Sequence, residues 1–193
     1  MKKIITLTLL TSSLLFSSSL ESIGLNIGSL NSDYKQKNHT GSITLGNTPD
    51  EKLNAFEIFT NYKDKIYGMK PYLSYTYSSN TQLKHQFVLT GLNKYYSHDK
   101  LDLYAGVLVG YGELKWRYNP LNNSKDNNVD ANSLIGGVQL GATYPFNGNI
   151  SMGVNTKYLL HDYETKLAPN NSASSTLEHK DTTSFSLSIQ YRF

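Results

Sequence analysis

His161, Asp162, Tyr163 and Glu164 stand in succession and combine an imidazole, a phenol and two carboxylates. With a serine brought in from elsewhere, a histidine base and a carboxylate to orient it would make the machinery of a nucleophilic hydrolase. The segment around them alternates apolar and polar residues, so neighbouring side chains point to opposite faces of a strand. His161 and Asp162 therefore share a site only if the strand is bulged, and the cluster reads first as polar groups on a solvated rim. The remaining histidines are dispersed: His39 and His179 fall in or beside polar loops, His98 in a turn, and His85 near a strand end. No two histidines have metal-ligand spacing. Asp126 and Asp130 sit in an Asn-rich loop that lacks the closing Glu of a calcium loop. With no cysteine in the chain, thiolate metal sites and disulfides are excluded. No catalytic residue, metal or cofactor is expected from these patterns.

The elements that would position such groups are strands. Ile150, Met152, Val154, Thr156, Tyr158 and Leu160 alternate with Ser151, Gly153, Asn155 and Lys157 in a run over 150–166. Six further runs show the same period: near 22–28, 53–62, 67–77, 82–96, 101–118 and 131–146. In the fourth of these, Phe87 and Leu89 read as outward and Val88 as inward. Short turns are expected at 63–65, at His98-Asp99 and at Asn147-Gly148, whose residues tolerate positive φ. Longer connections fall at about 32–51, 119–130 and 168–178. The segment 38–47, with Ile43 and Leu45, reads either as an extra strand or as part of a long loop.

One face of these runs is a band of Leu, Val, Ile, Phe and Tyr. The other carries Glu57, Lys70, Lys94, Asp102, Lys157 and Arg192 among many Gly, Ser, Asn and Gln. Polar residues of this kind suit a small barrel lumen, and an apolar band of that continuity suits lipid. Glu57 and Lys70 are expected to face each other across the turn at 63–65 as a buried ion pair. The expected fold is therefore all-β: an antiparallel up-and-down transmembrane β-barrel of eight strands over 20–193. Eight strands leave a lumen narrow enough for side chains to fill.

Both chain ends agree with that reading. Lys2 and Lys3 precede an apolar run from Ile4 to Phe16 and a group of serines, which predicts a secretory signal peptide over 1–19, cleaved after 19 or 22. Without it, the 18 basic residues fall to 16 against 15 acidic ones, a near-neutral balance that gives no case for nucleic acid. At the other end Phe185, Leu187, Ile189, Tyr191 and Phe193 alternate with Ser, Gln and Arg. The terminal Tyr191-x-Phe193 resembles the assembly signal of bacterial outer-membrane barrels. The chain as a whole resembles the small eight-stranded families described as OmpX-like, opacity-type or porin-family proteins. That resemblance implies residence in the outer membrane, contact with its lipid and lipopolysaccharide, delivery by the barrel-assembly machinery, and a monomer. It implies a structural or surface-interaction role with a largely plugged lumen. A narrow porin is the alternative, and a lipid-modifying enzyme a more distant one.

Overall fold

The computed structural model describes residues 20–40, 43–47, 50–80, 83–116, 129–170 and 173–193. The expected leader over 1–19 and the loop 119–128 lie outside the described residues, as does the Trp116 side chain. Nine strands follow one another: β1 (Leu20–Thr40), β2 (Ile43–Asn47), β3 (Asp50–Tyr62), β4 (Lys70–Ser79), β5 (Leu83–His98), β6 (Leu101–Trp116), β7 (Val129–Pro145), β8 (Ile150–Asn170) and β9 (Ala173–Arg192). All pairings are antiparallel: β1 pairs with β2 and with β3, sequential neighbours pair from β3 to β9, and β1 also pairs with β9, with Ile23 opposite Tyr191 and Ile27 opposite Leu187. Closure through that ladder makes a barrel of eight strands, β1 and β3–β9. The segment left open in the sequence becomes β2, which pairs only with residues 36–40 of β1 and lies in line with β3 along the same edge. It extends the wall without adding a stave.

Local chemistry sets the turns. Between β7 and β8 the Asn147 Oδ1 accepts from the backbone N–H of Asn149 (3.0 Å) and of Ile150 (2.8 Å), an Asx turn that starts the next strand. Asp99 turns β5 into β6 with φ of 53°. The β3–β4 connection is longer than the expected 63–65. Ile66 and Met69 bridge each other, with Tyr67 (φ 51°) and Gly68 (φ 75°) at the tip. The β3–β4 ladder consequently ends at Asn61 opposite Tyr72, which carries Lys70 past it to the barrel mouth.

The outward face is a belt of exposed apolar side chains that runs right round the barrel. It includes Ile27, Ile58, Tyr75, Val107, Val138, Val154 and Leu187. The expected C-terminal set, Phe185, Leu187, Ile189, Tyr191 and Phe193, is wholly outward. Most strands keep the predicted phase, but β5 reverses it. Phe87 and Leu89 are 3% and 0% exposed and point inward, while Val88 points out. The same phase turns Lys94 outward, near the carbonyl of Gly68 and away from the lumen. Apolar residues occupy both faces of β5, so alternation alone left its phase undetermined. Its partner settles it: Phe87 lies opposite Gly112, Leu89 opposite Gly110 and Asn93 opposite Gly106. A Cβ on Gly106 would sit 2.0 Å from the Asn93 Oδ1, so large β5 residues fill the room that β6 glycines leave.

If this belt faces hydrocarbon, charge at its middle is costly. Val107→Arg, opposite Val138 on β7, is expected to cost about 2–4 kcal/mol in denaturant unfolding from lipid vesicles, and Tyr96→Arg at the belt edge under about 1 kcal/mol. Equal costs at the two depths would refute a lipid-facing belt.

Candidate functional site

The lumen is built in tiers from the inward residues of all eight staves. At the end where β1 begins and β9 ends, Lys70 bonds Glu21 (2.6 Å) and Arg192 bonds Asp102 (2.8 Å). Ser97 donates to the same Asp102. The next tier joins Asn155 to Tyr104 (2.9 Å) and Gln139 to Asn93 (2.7 Å). Above it Glu57 on β3 and Lys157 on β8 form a buried ion pair. Glu57 also accepts from Tyr72 (2.6 Å) and from Asn26 (2.7 Å), and Lys157 donates to the Tyr72 hydroxyl (3.0 Å). A charge removed from water needs this density of partners, because its desolvation otherwise exceeds the attraction between the pair. Leu30, Leu53, Phe87, Leu89, Leu108, Ile135 and Leu159 pack the lumen beyond.

The tier farthest from the termini holds three histidines. The rings of His161 and His179 stack with centroids 4.6 Å apart, and His85 meets both edge-on at 5.8 and 5.9 Å. His85 Nε2 lies 2.9 Å from the Tyr163 hydroxyl, a bond across the lumen from β5 to β8. His161 Nδ1 lies 3.0 Å from the carbonyl of His179 and its Nε2 lies 2.9 Å from the Thr182 hydroxyl. Among the described residues no set of three or more metal-ligating side chains converges on a possible ion position.

No family model and no curated protein sequence matches the chain. Solved structures do. Neisserial surface protein A superposes with a TM-score of 0.58 at 13% identity, over 89% of this chain and 97% of its own. The outer membrane protein OprG of Pseudomonas aeruginosa gives 0.53 at 11% identity, over 91% and 97%. The chain has the fold of the small outer-membrane β-barrels.

Within this outer-membrane barrel fold, five of the six charges read as luminal do face the lumen: Glu57, Lys70, Asp102, Lys157 and Arg192. Lys94 does not, for the phase reason given above. The expected Glu57–Lys70 pair is replaced by Glu57–Lys157 and Lys70–Glu21. The long β3–β4 turn carries Lys70 away, and barrel closure brings Lys157 in from 100 residues along the chain. The histidine tier was not legible in sequence. His161 appeared as a rim residue, His179 as loop-adjacent and His85 as a strand end, yet all three are buried. The available signal was the row of inward glycines on β6, which sets β5 in the phase that turns His85 inward.

Removing one member of the central pair should strand the other. Glu57→Ala is expected to lower unfolding free energy by about 3–5 kcal/mol, and the double variant Glu57→Leu/Lys157→Met to recover most of that loss. Urea titration of the folded barrel in micelles measures both, and a double variant as unstable as the single one would mean that the pair is not a closed unit.

Proposed function

We propose that the protein is an integral outer-membrane barrel with a structural or surface-interaction role, whose lumen passes no solute and whose working surface is its far end. The packed lumen carries this reading. Tiers of bonded polar groups and apolar side chains succeed one another from mouth to mouth. The cavity beside Glu57 and Lys157 measures about 20 Å³, room for a single water. In barrels of this fold the termini and short turns face the periplasm. The opposite ends, where β1 pairs with β2 and β8 with β9 out to Thr40 and Asn170, then project outside the cell.

The lipid belt supports contact with outer-membrane lipid and lipopolysaccharide, and the outward Tyr191 and Phe193 support handling by the barrel-assembly machinery. Closure of all eight staves leaves no strand edge within the belt, in keeping with a monomer. We assign no catalytic role: the imidazole–hydroxyl pair of His161 and Thr182 is buried among the described residues.

Planar-bilayer recording of the refolded protein at neutral pH, with insertion verified independently, tests the closed lumen. The expected trace is silent. Discrete, reproducible conductance steps would overturn the reading in favour of a narrow porin using the charged tiers.

A further inference from the structure

The histidine tier lies where the wall is least tied together. The β7–β8 ladder stops at Ile135 opposite His161, although β8 continues to Asn170. The β8–β9 register breaks between Leu160 and Tyr163. Above that level β9 stays laddered to β1 as far as Ala173 opposite Thr40, whereas β8 has no backbone ladder to β7 and meets the rest of the barrel on that side through side chains, among them Ser133 Oγ, which accepts from the Asp162 N–H. His85 holds Tyr163 from the opposite wall. His161 ties β8 to β9 through the His179 carbonyl and Thr182, and Thr182 lies 3.0 Å from Ser32 on β1. The tier sits at the upper edge of the apolar belt: next to it the outward Leu160 and Leu134 end the belt, and Lys84, Glu113, Asp162, Glu164 and Lys180 follow.

The hydrogen-bond geometry fixes the protons. A carbonyl only accepts, so His161 Nδ1 carries its hydrogen and donates to His179 O; its Nε2 then accepts from Thr182. His179 Nδ1 lies 3.4 Å from that same His161 Nδ1 and faces it as an acceptor. Two buried ring nitrogens, Nδ1 of His85 and Nε2 of His179, have no partner among the described residues. Every bond in the tier is thus compatible with three neutral rings. A proton added to His179 Nδ1 would point at the donor of His161. A second charge on the stacked pair would stand within 4.6 Å of the first in a place with little water.

We propose that the histidine tier is an acid-sensitive latch, which holds the β8 side of the outer β8–β9 hairpin across the open β7–β8 seam at neutral pH and loosens it in acid. Its trigger is proton uptake by the buried imidazoles when the hairpin opens to water. The surroundings are specific. Asp162 on β8 and Asp181 on β9 favour the protonated form of His161 from the same wall. On β6 Glu113 lies on the outer surface, bonded to Gln86 and Lys115, and acts on Tyr163 only through its charge; Lys84, the Lys115–Asp130 pair and the Lys180–Glu178 pair lie on the same surface. The inward residues described on β1, β3 and β4 at this height are Leu30, Ser32, Leu53 and Ser78, none of them titratable. Burial outweighs those acids at His161, holding it down to about 4, and holds the His179 imidazole down to about 3, with His161 beside it acting in the same direction. An imidazole in the open hairpin titrates near 6.5. Between these values the open form binds a proton that the closed form does not, so the latch weakens as pH falls through that window.

Hydrogen exchange of the full barrel in lipid nanodiscs, corrected for intrinsic rates, reads this directly. Uptake of at least one proton predicts that protection at residues 161–163 and 179–182 falls about tenfold or more per pH unit between pH 6 and pH 4. Protection at 25–27 and 187–189 in the belt should hold. His179→Phe keeps a stacked ring without a proton site and should flatten the slope, and His161→Gln is a second variant should the first not fold. The proposal fails if wild-type protection is flat with pH, if it falls equally in the belt, or if both variants keep the wild-type slope.

Discussion

The constraint on which everything else rests is that a backbone amide or carbonyl in hydrocarbon has no water to bond. A sheet meets that condition only by having no edges. Here the requirement is met at one place, the ladder between β1 and β9, where the first and last strands pair from Ser22 to Thr40 and from Arg192 back to Ala173. Without it the other ladders would form an open sheet with two apolar edges. The C-terminal alternation that is most conspicuous in the sequence is half of this seam. Its aromatic residues face lipid, while its serines line the lumen.

Closure fixes the perimeter, and the perimeter fixes what the lumen must do. Eight staves enclose a space that side chains have to fill, because an empty tier would forfeit dispersion contacts and a wet one would admit solute. The filling is complementary. Glycines 106, 110 and 112 on β6 face Asn93, Leu89 and Phe87 on β5. Polar groups are admitted only as bonded sets, with Glu57, Lys157, Tyr72 and Asn26 the most enclosed of them. The packed inward residues and the continuous apolar outer face are therefore two consequences of one closed ladder.

The outer end departs from this regularity. Beyond the belt water can satisfy backbone groups again, so the ladders are free to end unevenly, and β7 and β8 part company at His161. On that one seam side chains supply the cohesion, while β8–β9 and β1–β9 stay paired to the hairpin end. Three imidazoles are among the groups that do so, and their bonding depends on protonation.

The sequence by itself determined the strands, their number, the outward belt and the character of the inward face, because period-2 alternation is a local consequence of strand geometry and one face had to meet lipid. It also located the turns at Asp99 and Asn147, where a side chain or a positive φ acts within a few residues. The phase of β5 was not local: with apolar residues on both its faces, only the glycines of β6 could choose between them, and that choice put His85 inside and Lys94 outside. The partner of Glu57 was not local either, since Lys157 arrives only after the barrel closes. Nor was the histidine tier, assembled from β5, β8 and β9. Alternation says which residues share a face. Which of them meet across a closed lumen is decided by register, bulges and closure, and these belong to the tertiary structure alone.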